Sequence, residues 1–301
     1  MLAGWATSGP AGAPLPDCAR PETFAASALP AERAPRIVLL QGSLGIVTMA
    51  PVGEFLAAMG YPARQLADPR TGAMTTDSDL DGRDLAGMLA WQVERDGVRP
   101  IIVGHSKGGG VVIDTLRALA GLRGADLPVV DPRTGAAEAR DRIVDPVDGA
   151  TLRVTGLRLP YAAAIATGRL PRILRGQFEL ARVLREVPDS AEAFTGFAIP
   201  FDPIAGTLAG DEDPYVPTGA ARVRNVVLPA QTSHIGAPLV AHLAREDATR
   251  AFVEHYRPGS DAPWPSGVDT SNLMLAAELW YDVKRAWCSE ARRAAHSTGG
   301  H

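Results

Sequence analysis

A serine, a histidine and a carboxylate can together carry nucleophilic chemistry, and the serine of this sequence with the most informative surroundings is Ser106. Ser106 lies in the pentapeptide Gly-His-Ser-Lys-Gly, which matches the pattern G-x-S-x-G. A serine hydroxyl is a poor nucleophile until a neighbouring base accepts its proton. Histidine is the common base for this purpose, and a carboxylate commonly orients it. A serine that has such partners can carry out acyl transfer, so Ser106 is a candidate nucleophile.

The sequence around Ser106 predicts a strand, a sharp turn and a helix. Residues 101–103 form a short β-branched apolar run, which is typical of a strand buried on both faces. After the turn the apolar residues Val112, Leu116 and Leu119 recur at helical spacing. We therefore expect Ser106 at the junction between a buried strand and a helix N-terminus.

Such a junction brings the helix close to the strand, so the residues two before and two after the serine must be small. Gly104 and Gly108 meet this requirement. We expect Ser106 itself to adopt a strained backbone conformation, at a cost of roughly 1–3 kcal/mol. The helix N-terminus would offer free N–H groups to a developing oxyanion.

This stretch resembles the nucleophile elbow of the α/β-hydrolase superfamily, and Gly-His-Ser-Lys-Gly-Gly resembles its lipase, carboxylesterase and chlorophyllase-like branches. The resemblance implies an α/β fold with a doubly wound, mostly parallel sheet and a helical cap insertion. The chain itself alternates predicted strands (36–41, 61–66) with predicted helices (50–59, 81–94), which also indicates a parallel sheet.

The acid position follows from the same resemblance. The segment 210–217, Gly-Asp-Glu-Asp-Pro-Tyr-Val-Pro, resembles the acid loop of the superfamily and places Asp213 at the acid position, after a predicted strand at 203–210. Asp211 and Glu212 are its neighbours in this loop and remain alternatives. Asp145 and Asp148 are further alternatives, because they follow a predicted strand that begins at residue 142.

The resemblance also implies the base and the oxyanion donors. His234 follows a predicted strand at 222–228, where the superfamily keeps its histidine. The loop after the first strand, beginning Gln-Gly-Ser, would supply the backbone N–H of Ser43. The second N–H would come from Lys107, the residue after the serine.

The chain divides into an extended, proline-rich arm (1–35), an α/β-hydrolase domain (36–256) and a linker with a final amphipathic helix (257–301). Residues 151–200 are predicted to form the cap or lid insertion, with apolar residues at helical spacing. The final helix is expected over 270–295. Cys18 and Cys288 are the only cysteines, and they are either a disulfide pair or two unrelated thiols.

The composition argues against several classes of partner and cofactor. The net charge of −4 and the absence of a basic stripe argue against nucleic acid, and no apolar run approaches the ~20 residues of a membrane span. The histidines and cysteines show no metal-ligand spacing, and the implied chemistry needs no cofactor. Residues 2–5, Leu-Ala-Gly-Trp, resemble a lipoprotein cleavage box, which slightly favours a secreted or cell-envelope location.

The resemblance thus implies a serine hydrolase that cleaves carboxylic esters, with a small molecule or lipid as the substrate. An acyltransferase or a thioesterase would use the same three residues. A non-catalytic binding protein on this fold would usually have lost one of them, and the sequence has kept all three. Acyl length, alcohol and oligomeric state stay open.

Overall fold

The computed structural model describes residues 15–43, 47–207 and 213–298. Within these residues a central sheet of five strands has the order β1-β2-β5-β7-β9, and all its neighbouring strands are parallel. The strands of this sheet are β1 (Ile37–Leu40), β2 (Ile101–His105), β5 (Ala162–Ile165), β7 (Ala193–Ala198) and β9 (Arg222–Val227). Two small ribbons accompany it: β3 (Arg142–Val144) with β4 (Thr151–Arg153), and β6 (Glu186–Val187) with β8 (Val216–Pro217).

Helices connect and cover these strands. They are α1 (Ala50–Ala58), α2 (Gly82–Asp96), α3 (Lys107–Leu119), α4 (Leu170–Leu174), α5 (Phe178–Val183), α6 (Asp247–His255) and α7 (Leu273–Thr298). The strand-and-helix alternation predicted from the sequence is confirmed in this coarser sense: the fold is mixed α/β, with a parallel central sheet flanked by helices.

The sheet divides the apolar interior into two layers. On one face Leu85 and Leu89 of α2 and Leu116 of α3 pack in a cluster with Ile102 of β2. On the other face α1 and α7 cover the sheet in a second cluster. Every residue of β2 is buried, which explains its uninterrupted apolar run, because a parallel strand between two helical layers has no solvent face.

Two predicted strands outside the centre are wrong or differently placed. Residues 61–66 form a short 3₁₀ turn over Ala63–Gln65, because Pro62 has no N–H to offer to a sheet. The predicted strand at 142 exists as β3, but it pairs antiparallel with β4 and stays outside the central sheet.

The predicted cap region and the predicted strand at 203–210 also need correction. Residues 151–200 supply β5 and β7 of the central sheet, and only the stretch between these two strands, with α4 and α5, lies outside it. Residues 203–207 of the strand expected at 203–210 are not a strand, and residues 208–210 lie outside the described residues. The strand of the central sheet in this part of the chain is β7, which lies earlier. Residues 203–206 form a turn, since Asp202 side-chain bonds hold the backbone N–H groups of Ile204 and Ala205.

The N-terminal arm is tied to the final helix. Cys18 and Cys288 form a disulfide, so the pairing alternative holds. Residues 15–36 run along α7 with three short 3₁₀ turns, and the indole N–H of Trp287 donates to the carbonyl of Pro30. The buried ammonium of Lys284 donates to the carbonyls of Phe24 and Glu254, which joins the arm, α6 and α7.

The final helix is confirmed, with slightly later bounds than the expected 270–295. Trp280 and Trp287 are both fully buried on its inner face. Among the described residues no helix is both long and apolar enough to cross a membrane. The Leu-Ala-Gly-Trp stretch that favoured an envelope location lies outside the described residues.

Candidate active site

Ser106 stands where β2 ends and α3 begins. It precedes the first residue of α3, and its backbone has φ 54° and ψ −113°, so the expected strained conformation is present. A β-carbon at Gly104 would overlap the backbone of Gly108, and one at Gly108 would overlap the carbonyl oxygen of Leu40. The two glycines therefore let α3 begin directly against β1 and β2, which raises the serine hydroxyl at the carboxyl edge of the sheet.

His234 follows β9 and faces this hydroxyl. The Oγ of Ser106 lies 2.9 Å from Nε2 of His234, within hydrogen-bond distance. The imidazole is buried, with 6% of its side chain exposed. The structure thus brings Ser106 and His234, which the sequence analysis singled out, within hydrogen-bond distance of each other.

The carboxylate partner of His234 is Asp202. Its Oδ2 lies 2.6 Å from Nδ1 of His234. Its Oδ1 accepts hydrogen bonds from the backbone N–H groups of Ile204 and Ala205, both at 3.0 Å. Burial alone would raise the pKa of Asp202, but the bonds from His234 and the two amides outweigh it and hold this pKa below its ordinary value.

An ionised Asp202 fixes the tautomer of His234. The carboxylate can only accept a hydrogen bond, so Nδ1 carries the proton and Nε2 is left with a lone pair. The Ser106 hydroxyl then donates to Nε2. This is the arrangement in which a histidine can remove the serine proton.

Asp213, the predicted acid, does not contact His234. Its Oδ2 lies 2.9 Å from Nε of Arg169 and 3.3 Å from Nε of Arg185. It lines a separate cavity of about 120 Å³ beside β7 and β9. The physical reason is the position of the strand that precedes the acid. This strand is β7 (Ala193–Ala198), and the first turn after it contains Asp202, whereas Asp213 lies further along the chain.

The four other acidic alternatives are not found beside His234: two have other partners, and two lie outside the described residues. Asp145 accepts a hydrogen bond from Arg293 of α7, and Asp148 accepts one from the backbone N–H of Ala150. Asp211 and Glu212 lie outside the described residues.

A signal for Asp202 was present in the sequence. The run 193–199 is apolar enough for a buried strand, and Asp202-Pro203 directly after it is a turn signal of the same kind as Asp213-Pro214. The backbone adds a second sign, because Phe201 has φ 56°, a strained value for a bulky residue. Strain of this kind collects at functional sites.

The two predicted oxyanion donors lie beside Ser106. Ser43 lines the same cavity as Ser106 and His234. Lys107 is the first residue of α3, so its backbone N–H has no acceptor within the helix. The positions of both residues are therefore compatible with a donor role. The side chain of Lys107 forms an ion pair with Asp79.

His105 supports the loop that carries His234. Its Nε2 lies 2.8 Å from the carbonyl oxygen of His234, to which it donates, and the two rings are 4.9 Å apart between centroids. Burial, with a smaller contribution from the charge of His234, lowers the pKa of His105 to about 4. His105 is thus a neutral imidazole whose N–H holds the backbone of the base.

The cavity above Ser106 has a volume of about 240 Å³. The loop after β1, the residues around Ser106 and His234, the start of α4 and the turn after β7 form its wall. It is lined by Gly42, Ser43, Val47, His105, Ser106, Gly168, Pro171, Arg172, Arg175, Ile204, Ala205, His234 and Ile235. A reacting group placed here would meet the serine hydroxyl, apolar side chains and two arginines.

A scan against protein-family models, a search of curated proteins and a search of solved structures each gave no match for this chain. The assignment of a function therefore depends on the geometry of the site alone.

Proposed function

We propose that this protein is a serine hydrolase that cleaves carboxylic esters by way of an acyl-enzyme, on a sheet of the α/β-hydrolase type. One observation carries the proposal: a continuous hydrogen-bond chain runs from Ser106 through His234 to Asp202, with heavy-atom distances of 2.9 and 2.6 Å. A buried structural histidine needs a partner for each nitrogen, but it does not need a strained serine at the mouth of a cavity.

In the acylation step His234 accepts the proton of Ser106 while Oγ attacks the ester carbonyl carbon. The carbonyl electron pair moves to oxygen, and the N–H groups of Ser43 and Lys107 would stabilise that oxyanion. When the intermediate collapses, His234 gives its proton to the departing alcohol and the acyl group stays on Ser106. Asp202 stabilises the imidazolium and keeps its ring in place.

In the second step water takes the place of the alcohol. His234 accepts a proton from water as the water oxygen attacks the acyl carbon, and it then returns a proton to Oγ. The carboxylic acid leaves and the free serine is restored. An added acceptor alcohol that captures the acyl group more efficiently than water would identify an acyltransferase instead.

Labelling with a fluorophosphonate, combined with hydrolysis of 4-nitrophenyl esters of graded chain length, tests the proposal. We expect one label per chain, on Ser106, and loss of both labelling and hydrolysis in Ser106→Ala. Ser289→Ala is the matched control, because Ser289 lies on α7, away from the cavity, and its hydroxyl donates to the carbonyl of Arg285. Hydrolysis that survives in Ser106→Ala would refute the proposal.

A further inference from the structure

The cavity above Ser106 contains positive charge that no described carboxylate neutralises. Arg172 and Arg175, from α4 and its C-terminal end, both line it. Within the described part of the chain neither residue forms an ion pair, whereas the nearby Arg169 and Arg185 share Asp213 and Lys107 is paired with Asp79. The chain as a whole has a net charge of −4, so this local excess is not a consequence of a basic composition.

Arg172 and Arg185 are both buried, but only Arg185 has a carboxylate partner among the described residues. Only 3% of Arg172 is exposed, and its Nη1 donates to the Gln177 side chain at 3.2 Å. Its Nε has no hydrogen-bond partner among the residues that the structure describes. Burial and the charge of Arg175 lower the pKa of Arg172 to about 10, so the guanidinium still carries its charge at neutral pH. A buried cation without a counter-ion is unfavourable, and a bound anion would relieve this.

The guanidinium of Arg172 also packs against helix α3. It packs against Gly110 in the first turns of α3, where an added β-carbon would lie 3.1 Å from Cζ of Arg172. A glycine at this position therefore allows the planar group to lie flat on the helix that follows the nucleophile. A fixed guanidinium fork matches the two oxygens of a carboxylate.

We propose that the preferred substrate is a small ester with a second, negatively charged group, a carboxylate, which Arg172 and Arg175 bind while Ser106 attacks the ester. This inference rests on the proposed esterase function and specifies its substrate class. The cavity of about 240 Å³ limits the part of the substrate held inside to a short chain. Val47, Ile204 and Ile235 would contact the methylene groups between the two ends.

A charged and a neutral ester of the same acid provide the test. Ethyl hydrogen adipate carries one carboxylate, and diethyl adipate carries none. We expect kcat/KM to favour the charged ester by about tenfold or more, since hydrogen bonds to charged groups are the stronger ones. Added salt should reduce this preference, because it screens the attraction between the substrate carboxylate and Arg175, the exposed one of the two arginines.

Substitution of the arginines tests whether they cause the preference for the charged ester. Arg175→Gln removes an exposed charge, so it should fold normally and raise KM for the charged ester about tenfold more than it raises KM for diethyl adipate. Arg172→Gln should do the same if it folds, and Arg175→Gln decides the matter if it does not. Arg182→Gln is the matched control, because Arg182 is an exposed arginine of α5 that pairs with Glu179 and does not line the cavity.

Binding of adipate itself separates this inference from the esterase proposal. Calorimetry should show that adipate binds wild type and Ser106→Ala alike and binds Arg175→Gln at least about tenfold more weakly. Equal kcat/KM for the two esters, with no adipate binding, would overturn the anion site while leaving the esterase intact. If no ester is cleaved and no fluorophosphonate adds, the esterase proposal fails, and adipate binding alone then decides the anion site. Inorganic phosphate is titrated in the same calorimetric experiment. Tighter binding of phosphate than of adipate would overturn the choice of a carboxylate as the ligand.

Discussion

Asp202 and His234 are 32 residues apart in the chain, and their side chains meet at 2.6 Å between Oδ2 and Nδ1. Asp202 lies in the turn after β7 and His234 in the loop after β9. These two strands are neighbours in the sheet and run parallel, so their carboxyl ends open at the same edge. Ser106 follows β2 at that edge, which is where open parallel sheets generally place their functional loops.

The first prediction separates the two candidate acids. If the proposed function holds, Asp202→Asn should lower kcat about 10⁴-fold, because an amide at this position would leave His234 in the wrong tautomer. Asp213→Asn should keep kcat within about tenfold, since among the described residues Asp213 forms ion pairs with Arg169 and Arg185 and none with His234. The measurement is steady-state hydrolysis of a 4-nitrophenyl ester, with circular dichroism to show that both variants are folded. Equal losses in the two variants would contradict the assignment of Asp202.

The sequence was sufficient to single out Ser106 as a candidate nucleophile because local chemistry marks it, and the order of the motifs then singled out His234. Ser106 has glycines at the two positions where the helix approaches the strand, and each glycine is required by contacts that the structure describes. The apolar run of β2 and the spacing of α3 are also local. These features need no knowledge of which strands are neighbours.

The acid could not be predicted in this way, because its position depends on strand order. Two Asp-Pro pairs, at 202 and 213, carry the same turn signal, and only the strand that precedes each one distinguishes them. The short strand β5 is mostly alanine, which has no strong strand preference, so the sequence indicated a cap where the sheet continues. Because the predicted sheet lacked β5 and β7, the prediction placed the acid one loop later, at Asp213, and not at Asp202.

The second prediction concerns the close approach of α3 to the sheet. Gly108→Ala should destabilise the protein by several kcal/mol, because the new methyl group would overlap the carbonyl oxygens of Leu40 and Gln41, which cannot move without disrupting β1. Gly149→Ala is the control: its φ of 73° costs about 1 kcal/mol for a non-glycine residue, but no atom lies near its β-carbon. Urea unfolding measures both, and similar losses would contradict the steric argument.

The third prediction concerns the disulfide between Cys18 and Cys288. It closes a loop of 270 residues, so its removal should lower the free energy of unfolding by about 2–5 kcal/mol. The double variant Cys18→Ser, Cys288→Ser is compared with wild type in urea, with and without reductant. Reductant should weaken only the wild type, and proteolysis should then begin in the arm. A wild type that responds to reductant no more than the double variant does would show that the bridge adds little.

The last prediction is a pH dependence of stability that originates at His105. The pKa of this imidazole is about 4 in the folded protein, because the ring is buried, and about 6.5 in an unfolded chain. Between these two values the unfolded chain binds a proton that the folded protein does not. The free energy of unfolding should therefore fall as the pH decreases from 6.5 to 4, by up to about 3 kcal/mol from this group alone.

Two other groups face His105, and they affect the same measurement differently. Asp202 has a lowered pKa, so its contribution to stability is present above the unfolded carboxyl pKa of about 3.9 and is lost only as the pH falls below that value. His234 is present in wild type and variant alike. The difference between the two proteins in the window from pH 6.5 to 4 therefore reports on His105.

The informative variant is His105→Gln. Glutamine keeps an N–H that can donate to the carbonyl of His234, but it has no proton to gain in this range. Unfolding in urea at several pH values between 7 and 4 should show a shallower loss of stability for His105→Gln than for wild type. His296→Gln, which removes an exposed histidine near the end of α7, is the matched control. Parallel curves for wild type and His105→Gln would show that the buried imidazole is not the source of the acid sensitivity.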